Sequence, residues 1–293
     1  MHANNTPIQS IGIMAAVQKP EAVEYAAGIA RRLAELDISV RLNQDMHQHV
    51  ESSCECCDDE ALAQTDVIIV LGGDGTLLRI ARAAAPHDTP LLGLDVGSFG
   101  FLATEKPQFA VDHLQQIVDG DFFIEQRLML QATMRHADGS DVVAGCGLND
   151  VVVTGSEPHR AVRLRTAIDD ECVCSHRVDG MILSTPTGST AYNLSAGGPI
   201  ADPRLDVILV TPLNPHVLCT RPVVVPGGSE IAIALAPDHK SSQHLNIFID
   251  GQVSRHVPDD GDVLVSAAPH RAKLAHLRSS SFYANLTDKL NMG

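Results

Sequence analysis

The chain contains no tryptophan, and its aromatic residues make up only 3% of 293 positions. Its cores must therefore be aliphatic, which a hydrophobic content of 44% allows. Positive charge is also scarce. Against 36 Asp and Glu there are 21 Lys and Arg, leaving a formal net charge of −15. That balance argues against general nucleic-acid binding and against attraction to an anionic membrane. It leaves room for a phosphorylated ligand, which needs only local N–H groups and a few cations. No apolar run approaches the roughly 18 residues of a membrane span, and the first residues lack a signal-peptide pattern, so a cytoplasmic location is expected. Seven cysteines are an odd number for a disulfide framework. There is no Gly-x-x-x-x-Gly-Lys-Ser/Thr loop, and Gly73-Asp74-Gly75 lacks the third glycine of a dinucleotide fingerprint. Neither phosphate nor dinucleotide is held in the commonest ways.

What is present centres on residues 66–78. Five apolar residues, Val67 to Leu71, run into Gly72-Gly73-Asp74-Gly75-Thr76. The run is short enough for a strand buried on both faces, as in a parallel sheet. Leu77, Leu78, Ile80 and Ala81 then recur at helical spacing, so a helix is expected from about Thr76. A strand, a glycine turn and a helix N-terminus make a corner that attracts phosphate, because the backbone can approach an anion closely and the helix dipole favours it. Asp74 stands out there. A carboxylate repels phosphate, which suggests a chemical task such as accepting a proton from an attacking hydroxyl. A cap or turn-shaping role is the plain alternative.

Along the first 121 residues strands and helices alternate. Strands are expected over 8–15, 38–42, 67–71 and 90–94, and helices from Pro20, from Thr76, and around Phe109, Leu114 and Ile117 to Gly120. This predicts an α/β N-terminal domain, a parallel sheet with flanking helices. Cys54-Glu55-Cys56-Cys57, followed by three acids, reads as a solvated acidic loop. His47 and His49 lie just upstream, but no matching pair stands at metal-site spacing downstream, and no protein metal site is assigned. From residue 122 to 270 many short strands separated by turn residues predict a mainly β domain. In it Cys172 and Cys174 alternate and are expected on one strand face. The segment 271–293 is expected to return to the first domain.

Three further groupings stand out: Leu148-Asn149-Asp150, Arg177-Val178-Asp179-Gly180, and the hydroxyl- and glycine-rich run from Ser184 to Pro199. Taken singly they read as turn residues, a surface ion pair and a loop. In sequence with GGDGT and Gly97-Ser98-Phe99-Gly100-Phe101-Leu102, the order ending in TPTGSTAY-x-LSAGGP closely resembles the NAD kinases, of bacterial type. The resemblance spans about residues 11–283. GGDGT alone is shared with lipid and sphingoid-base kinases, whereas the TPTGSTAY segment is far more specific.

The resemblance implies transfer of the γ-phosphate of ATP to the 2′-hydroxyl of the adenosine ribose of NAD, giving NADP, with NAD in a cleft between two domains. It implies that Asp74 is the acid beside the reacting hydroxyl, with Gly72, Gly73, Gly75 and Thr76 around the ligand. It places Asn149 and Asp150 at the adenosine part, Arg177 and Asp179 near the nicotinamide half, and Thr187 and Thr190, Ala191, Tyr192, Asn193, Leu194 and Ser195 in the enclosing segment. Arg160 and Gln252 fall near ligand-contacting positions. Mg²⁺ would arrive with ATP, and a homodimer or homotetramer is implied. The chain departs from the family where Asp150 replaces the usual Glu, and where Asp95 puts a full charge at a position usually held by Asn. The competing readings are a lipid or sphingoid-base kinase and a non-catalytic dinucleotide sensor.

Overall fold

A computed structural model describes the chain apart from residues 1, 5, 47, 50–53, 98–99, 104, 137, 158–160, 218–219, 237–243, 259–260, 279–280 and 291–293. The chain forms two compact units, Met1–Arg127 with His270–Gly293, and Leu128–Pro269.

The first unit is built on an eight-stranded sheet. Its central strand, Val67–Gly72, has every residue buried, and parallel neighbours flank it: Ser10–Ala15 on one side and Pro90–Asp95 on the other. The uninterrupted apolar runs follow from that burial on both faces. The helix Pro20–Ala34 has proline at its start, Glu21 in its first turn and Arg31 and Arg32 in its last, in keeping with the helix dipole. It buries Ala22, Ala26, Ile29, Ala30 and Leu33 against the strands.

Four local features differ from the sequence expectation. Glu55–Cys57 is an edge strand rather than a loop, pairing Cys56 with Leu42 and Cys57 with Asn43. The helix after the glycine corner starts at Asp74, two residues early. The helix expected to run to Gly120 is two, Pro107–Asp112 and Leu114–Val118. His113 leaves helical geometry between them (φ −113°, ψ 26°), and its Nδ1 lies 2.8 Å from Phe109 O. Finally, the first unit runs past residue 121. Phe123–Arg127 pairs antiparallel with Ala272–His276, which in turn lies parallel to Pro90–Asp95. The parallel sheet thus gains a mixed edge.

The second unit has two six-stranded antiparallel sheets. Val151, Val153, Leu183 and Ile247 from one and Leu164, Ile233, Val263 and Val265 from the other share a single aliphatic core. Alternation of buried and open positions, as in Leu130–Arg135, reflects one face packed and one solvated. A short strand, Val253–His256, extends one edge. Cys172 and Cys174 do not behave as a matched pair. A register shift opposite Thr166 and Ala167 leaves Cys172 exposed, while Cys174 packs against the core. All cysteines among the described residues are free thiols.

The return of the chain to the first sheet is fixed by a buried ionic cluster. Glu125 Oε2 lies 2.9 Å from Arg127 Nη2 and 3.3 Å from His276 Nε2, all three side chains being nearly closed to solvent. Burial pushes the Glu125 carboxyl up, but the His276 and Arg127 partners outweigh it and lower the pKa to about 2. The ordinary value being 4.5, this carboxylate stabilises the fold fully above that pH and loses its effect as pH falls towards 2. Glu125→Gln removes the buried carboxylate that Arg127 and His276 both face. We expect urea denaturation at pH 7 to show a loss of about 3 kcal/mol, shrinking as the pH is lowered through 4. A loss below about 0.5 kcal/mol would mean the cluster is hydrated.

Candidate functional site

In the first unit the glycine corner is formed as the strand-to-helix transition requires. Gly73 caps the helix Asp74–Ala84 in extended geometry and Asp74 opens it. The Asp74 carboxylate accepts three successive backbone N–H groups: Phe101 at 2.8 Å on Oδ2, and Leu102 at 3.0 Å and Ala103 at 3.3 Å on Oδ1. A Cβ on Gly100 would collide with that carboxylate, which explains the glycine there. Gly72 is buried, and a Cβ on it would meet Thr76 Oγ1 at 2.6 Å. Gly75 is exposed, and Gly73, Asp74 and Thr76 are half-buried. Ser98 and Phe99 of the neighbouring glycine turn lie outside the described residues.

The charge of Asp95 is answered locally. Its Oδ2 accepts from Lys106 Nζ at 2.8 Å, and Lys19 Nζ donates to Val96 O at 2.7 Å. Both contacts lie where strand Pro90–Asp95 ends, on the carboxyl side of the parallel strands where open α/β sheets hold ligands.

In the second unit Asn149, Asp150, Ala191 and Tyr192 come together. With Val152, Thr154, Phe248, Asp250 and Gly251 they line a cavity of about 440 Å³. Sequence reasoning missed Asp250, which organises this wall. It sits at a left-handed φ of 50°, and its carboxylate accepts from Leu148 N at 3.0 Å, Asn149 N at 2.8 Å and Asp150 N at 3.2 Å. Its only signal was the Asp-Gly turn at Asp250-Gly251, a hundred residues away in the chain. Asn149 O also receives Thr185 N and Ser184 Oγ, and a Cβ on Gly188 would overlap the Asn149 backbone. The hydroxyl-rich run is thus packed onto the Asn149-Asp150 turn.

Not every candidate reaches this cavity. Asn193 is fully buried and turned inward, donating to Ser189 O and Pro199 O and accepting from Thr211 Oγ1 at 2.7 Å. Thr187 is buried, Thr190 and Leu194 are half-buried, and Ser195 is exposed. Arg177 and Asp179 are both exposed, and Asp179 accepts from Asn214 Nδ2 at 2.8 Å. Gln252 is exposed in the turn before Val253–His256. Arg160 lies outside the described residues. Among the described residues no group of three or more His, Cys, Asp or Glu side chains is placed to hold a metal ion, and no helix is long and apolar enough to cross a membrane.

Comparison with known proteins covers both units. The family model described as the ATP-NAD kinase N-terminal domain matches residues 11–122, and that of the ATP-NAD kinase C-terminal domain matches residues 148–277. An NAD kinase of Heliobacterium modesticaldum is 37% identical over 97% of this chain and 99% of its own length. One of Moorella thermoacetica is 36% identical over 98% of this chain and 90% of its own. Among solved structures, yeast NADH kinase complexed with NADH superposes with a TM-score of 0.86, covering 98% of this chain and 88% of that one. At 22% identity it speaks for the fold. An NAD kinase from Archaeoglobus fulgidus in complex with ATP has a TM-score of 0.73 at 25% identity, over 96% of this chain and 98% of that one.

Asp150 gives the cavity a measurable signature. Burial, and then the neighbouring Asp250 carboxylate, raise its pKa from 3.8 to about 7. Between those values the unfolded chain carries the charge and the folded chain holds the proton, so stability falls as pH rises through the window. The size is on the order of 4 kcal/mol. Asp150→Asn should abolish that decline between pH 4 and 7 in denaturant titrations of the ligand-free protein. Parallel curves for the two proteins would show that Asp150 titrates normally.

Proposed function

The chain belongs to the ATP-NAD kinase family, and from that premise we infer that it moves the γ-phosphate of ATP to the 2′-hydroxyl of the adenosine ribose of NAD, forming NADP. The observation that carries this reading is the match of both halves to kinases of NAD along nearly the whole chain. It sets aside the lipid-kinase and non-catalytic alternatives, whose likeness rests on the glycine corner or on the β unit alone.

Each unit then has a task. In the second, the cavity volume and its mix of apolar walls and a few polar groups suit a nucleoside-sized part of the dinucleotide. Asn149 and Asp150 offer hydrogen-bonding groups there, on a turn that Asp250 holds still before any ligand arrives. Ala191 and Tyr192 supply flat contact surface. Asn193 supports that segment from beneath, since its amide is spent inside the protein. In the first unit Asp74 is the proton acceptor for the attacking hydroxyl. Its carboxylate is oriented by three amide donors, which leaves it free lone-pair capacity and fixes its direction. Magnesium fits as a companion of ATP. It asks for only one or two carboxylates beside phosphates and waters, of which Asp95 would offer one, and when bound it would neutralise charge developing on the transferred group.

We also place the protein in the cytoplasm and as a homodimer or homotetramer. Support for assembly comes from the edges of the second unit. The edge strands Val223–Pro226 and Asp141–Gly147 expose Val223, Val224, Val142 and Val143. Unpaired apolar edges are a liability that a second copy removes. Light scattering at micromolar concentration should give two or four times the chain mass. A monomer with full activity would rule the assembly out.

The chemical assignment is checked by turnover. With ATP, Mg²⁺ and NAD the protein should form NADP, and with diacylglycerol it should form no lipid phosphate. Asp74→Asn should lower kcat by about 10²–10⁴-fold, some 3–5 kcal/mol of barrier, with NAD affinity changed less than about threefold. The variant also turns an NH₂ towards one of the three amides, so stability should drop by about 1–2 kcal/mol. Near-normal kcat with that same drop would make Asp74 a loop clamp only.

A further inference from the structure

We propose that Lys289, on the C-terminal helix Phe282–Leu290, contacts the phosphates of the nucleoside triphosphate bound at the glycine corner; this rests on the kinase reading above. The corner lacks the lysine that a Walker loop would supply, and it carries the negative charge of Asp74. The three amides of residues 101–103 cannot serve a phosphate while they hold that carboxylate. A polyanion therefore needs another source of positive charge.

Three lysines approach this end of the sheet. Lys106 is bound to Asp95 and Lys19 to Val96 O. The ammonium of Lys289 makes no ion pair or hydrogen bond among the described residues, and it lies 5.1 Å from the centre of the Phe101 ring. Phe101 is the residue whose N–H binds Asp74 Oδ2, so the helix brings its cation to the loop that clamps the acid. Lys289 is half-buried. Burial holds its pKa below that of a free amine, Asp74 and Asp95 act in the opposite sense, and Lys106 adds repulsion. A partly desolvated cation facing one ring, without a carboxylate in contact, is well placed to gain from an arriving anion. None of the motifs that carry the family resemblance contains it, and its separation in sequence from the corner hides it from motif reading.

The competing role is mechanical, with Lys289 pinning the helix to Phe101 by the cation–π contact. Lys289→Met keeps the stem and removes the charge, and Lys289→Arg keeps the charge. For Met we expect the KM for ATP to rise at least tenfold with the KM for NAD within twofold, and Arg to recover most of the loss. Calorimetric titration with Mg·ATP alone should show the same weakening, whether or not an acceptor is turned over. Wild-type protein that binds ATP in this Lys289-dependent way without making NADP would uphold the contact and overturn the acceptor assignment. The proposal fails if Met leaves ATP affinity within twofold. It fails equally if Met weakens ATP and NAD alike, lowers the melting temperature, and is not rescued by Arg.

Discussion

A carboxylate that accepts three successive backbone N–H groups is the constraint on which both units depend. Asp74 does this for residues 101–103 and Asp250 for residues 148–150. Three parallel amides at the start of a turn form an anion-binding concavity, and here a fixed protein side chain occupies it. The loops that would otherwise sample many conformations are thereby set in one. Around each clamp the chain has little room. Gly100 cannot carry a Cβ beside Asp74, and a Cβ on Gly147 would come within 3.0 Å of Asp250 Oδ1. At Gly100 and Gly147 the glycine is required by close approach of a carboxylate and not by a left-handed φ, whereas Gly97, Gly120, Gly139, Gly145, Gly197 and Gly251 have positive φ.

Such a clamp couples fold to chemistry. Asp74 belongs to the corner and reaches across to a loop after the next strand, so the acid in GGDGT ties that loop to the corner. Asp250 is a support for Asn149 and Asp150 and also a charge beside Asp150, the second cause of its raised pKa. The same side chain that orders the turn therefore adds to the burial that raises its neighbour's pKa. Replacing the customary Glu with Asp150 shortens the reach by one methylene, and burial at 5% exposure keeps that shorter acid within the wall of the cavity.

Much of this was legible locally and little of it at long range. The central strand, the helix from Pro20 and most strands of the second unit are visible because period-two and period-3.6 patterns report burial directly. The candidate residues Asn149, Asp150, Ala191 and Tyr192 line one cavity. Asp250 was invisible because its partners lie a hundred residues upstream, and a hydrogen bond to a backbone N–H leaves no pattern in the partner's side chain. Asn193 sits within a motif full of polar groups, and spacing does not tell which of them face inward. The buried answer follows from packing, since a tight glycine-bearing loop leaves carbonyls at Ser189 and Pro199 that need donors. The strand Glu55–Cys57 was misread because its polarity suits a solvated loop. As the edge of the sheet it needs only one neighbour, and its pairing with Leu42 and Asn43 is made by backbone.

The acidic balance of the chain also finds its physical reason in these clamps. A charge of −15 would seem to oppose a polyanionic substrate, yet many of the acids are committed to the backbone. Asp66 accepts from the N–H groups of Gln9 and Ser10, Asp169 from Glu230 N, and Asp58 caps the helix Asp59–Leu62 through Ala61 N. Among the described residues, every non-glycine at positive φ is Asp or Asn: Asp37, Asp88, Asp169, Asp170, Asn214 and Asp250. Short polar side chains tolerate that conformation and bond the nearby backbone. Aspartate stands at five of these six positions, and the carboxylates of Asp169 and Asp250 accept backbone N–H groups there. Net charge then describes the turns more than the ligand. What a phosphate meets is set by the local field, and at the carboxyl end of the first sheet that field includes the lysine side chains of Lys19 and Lys106 bound beside Asp95 and Val96. An acidic protein can hold a triphosphate because electrostatic attraction is decided within a Debye length of the site, not by the sum over the chain.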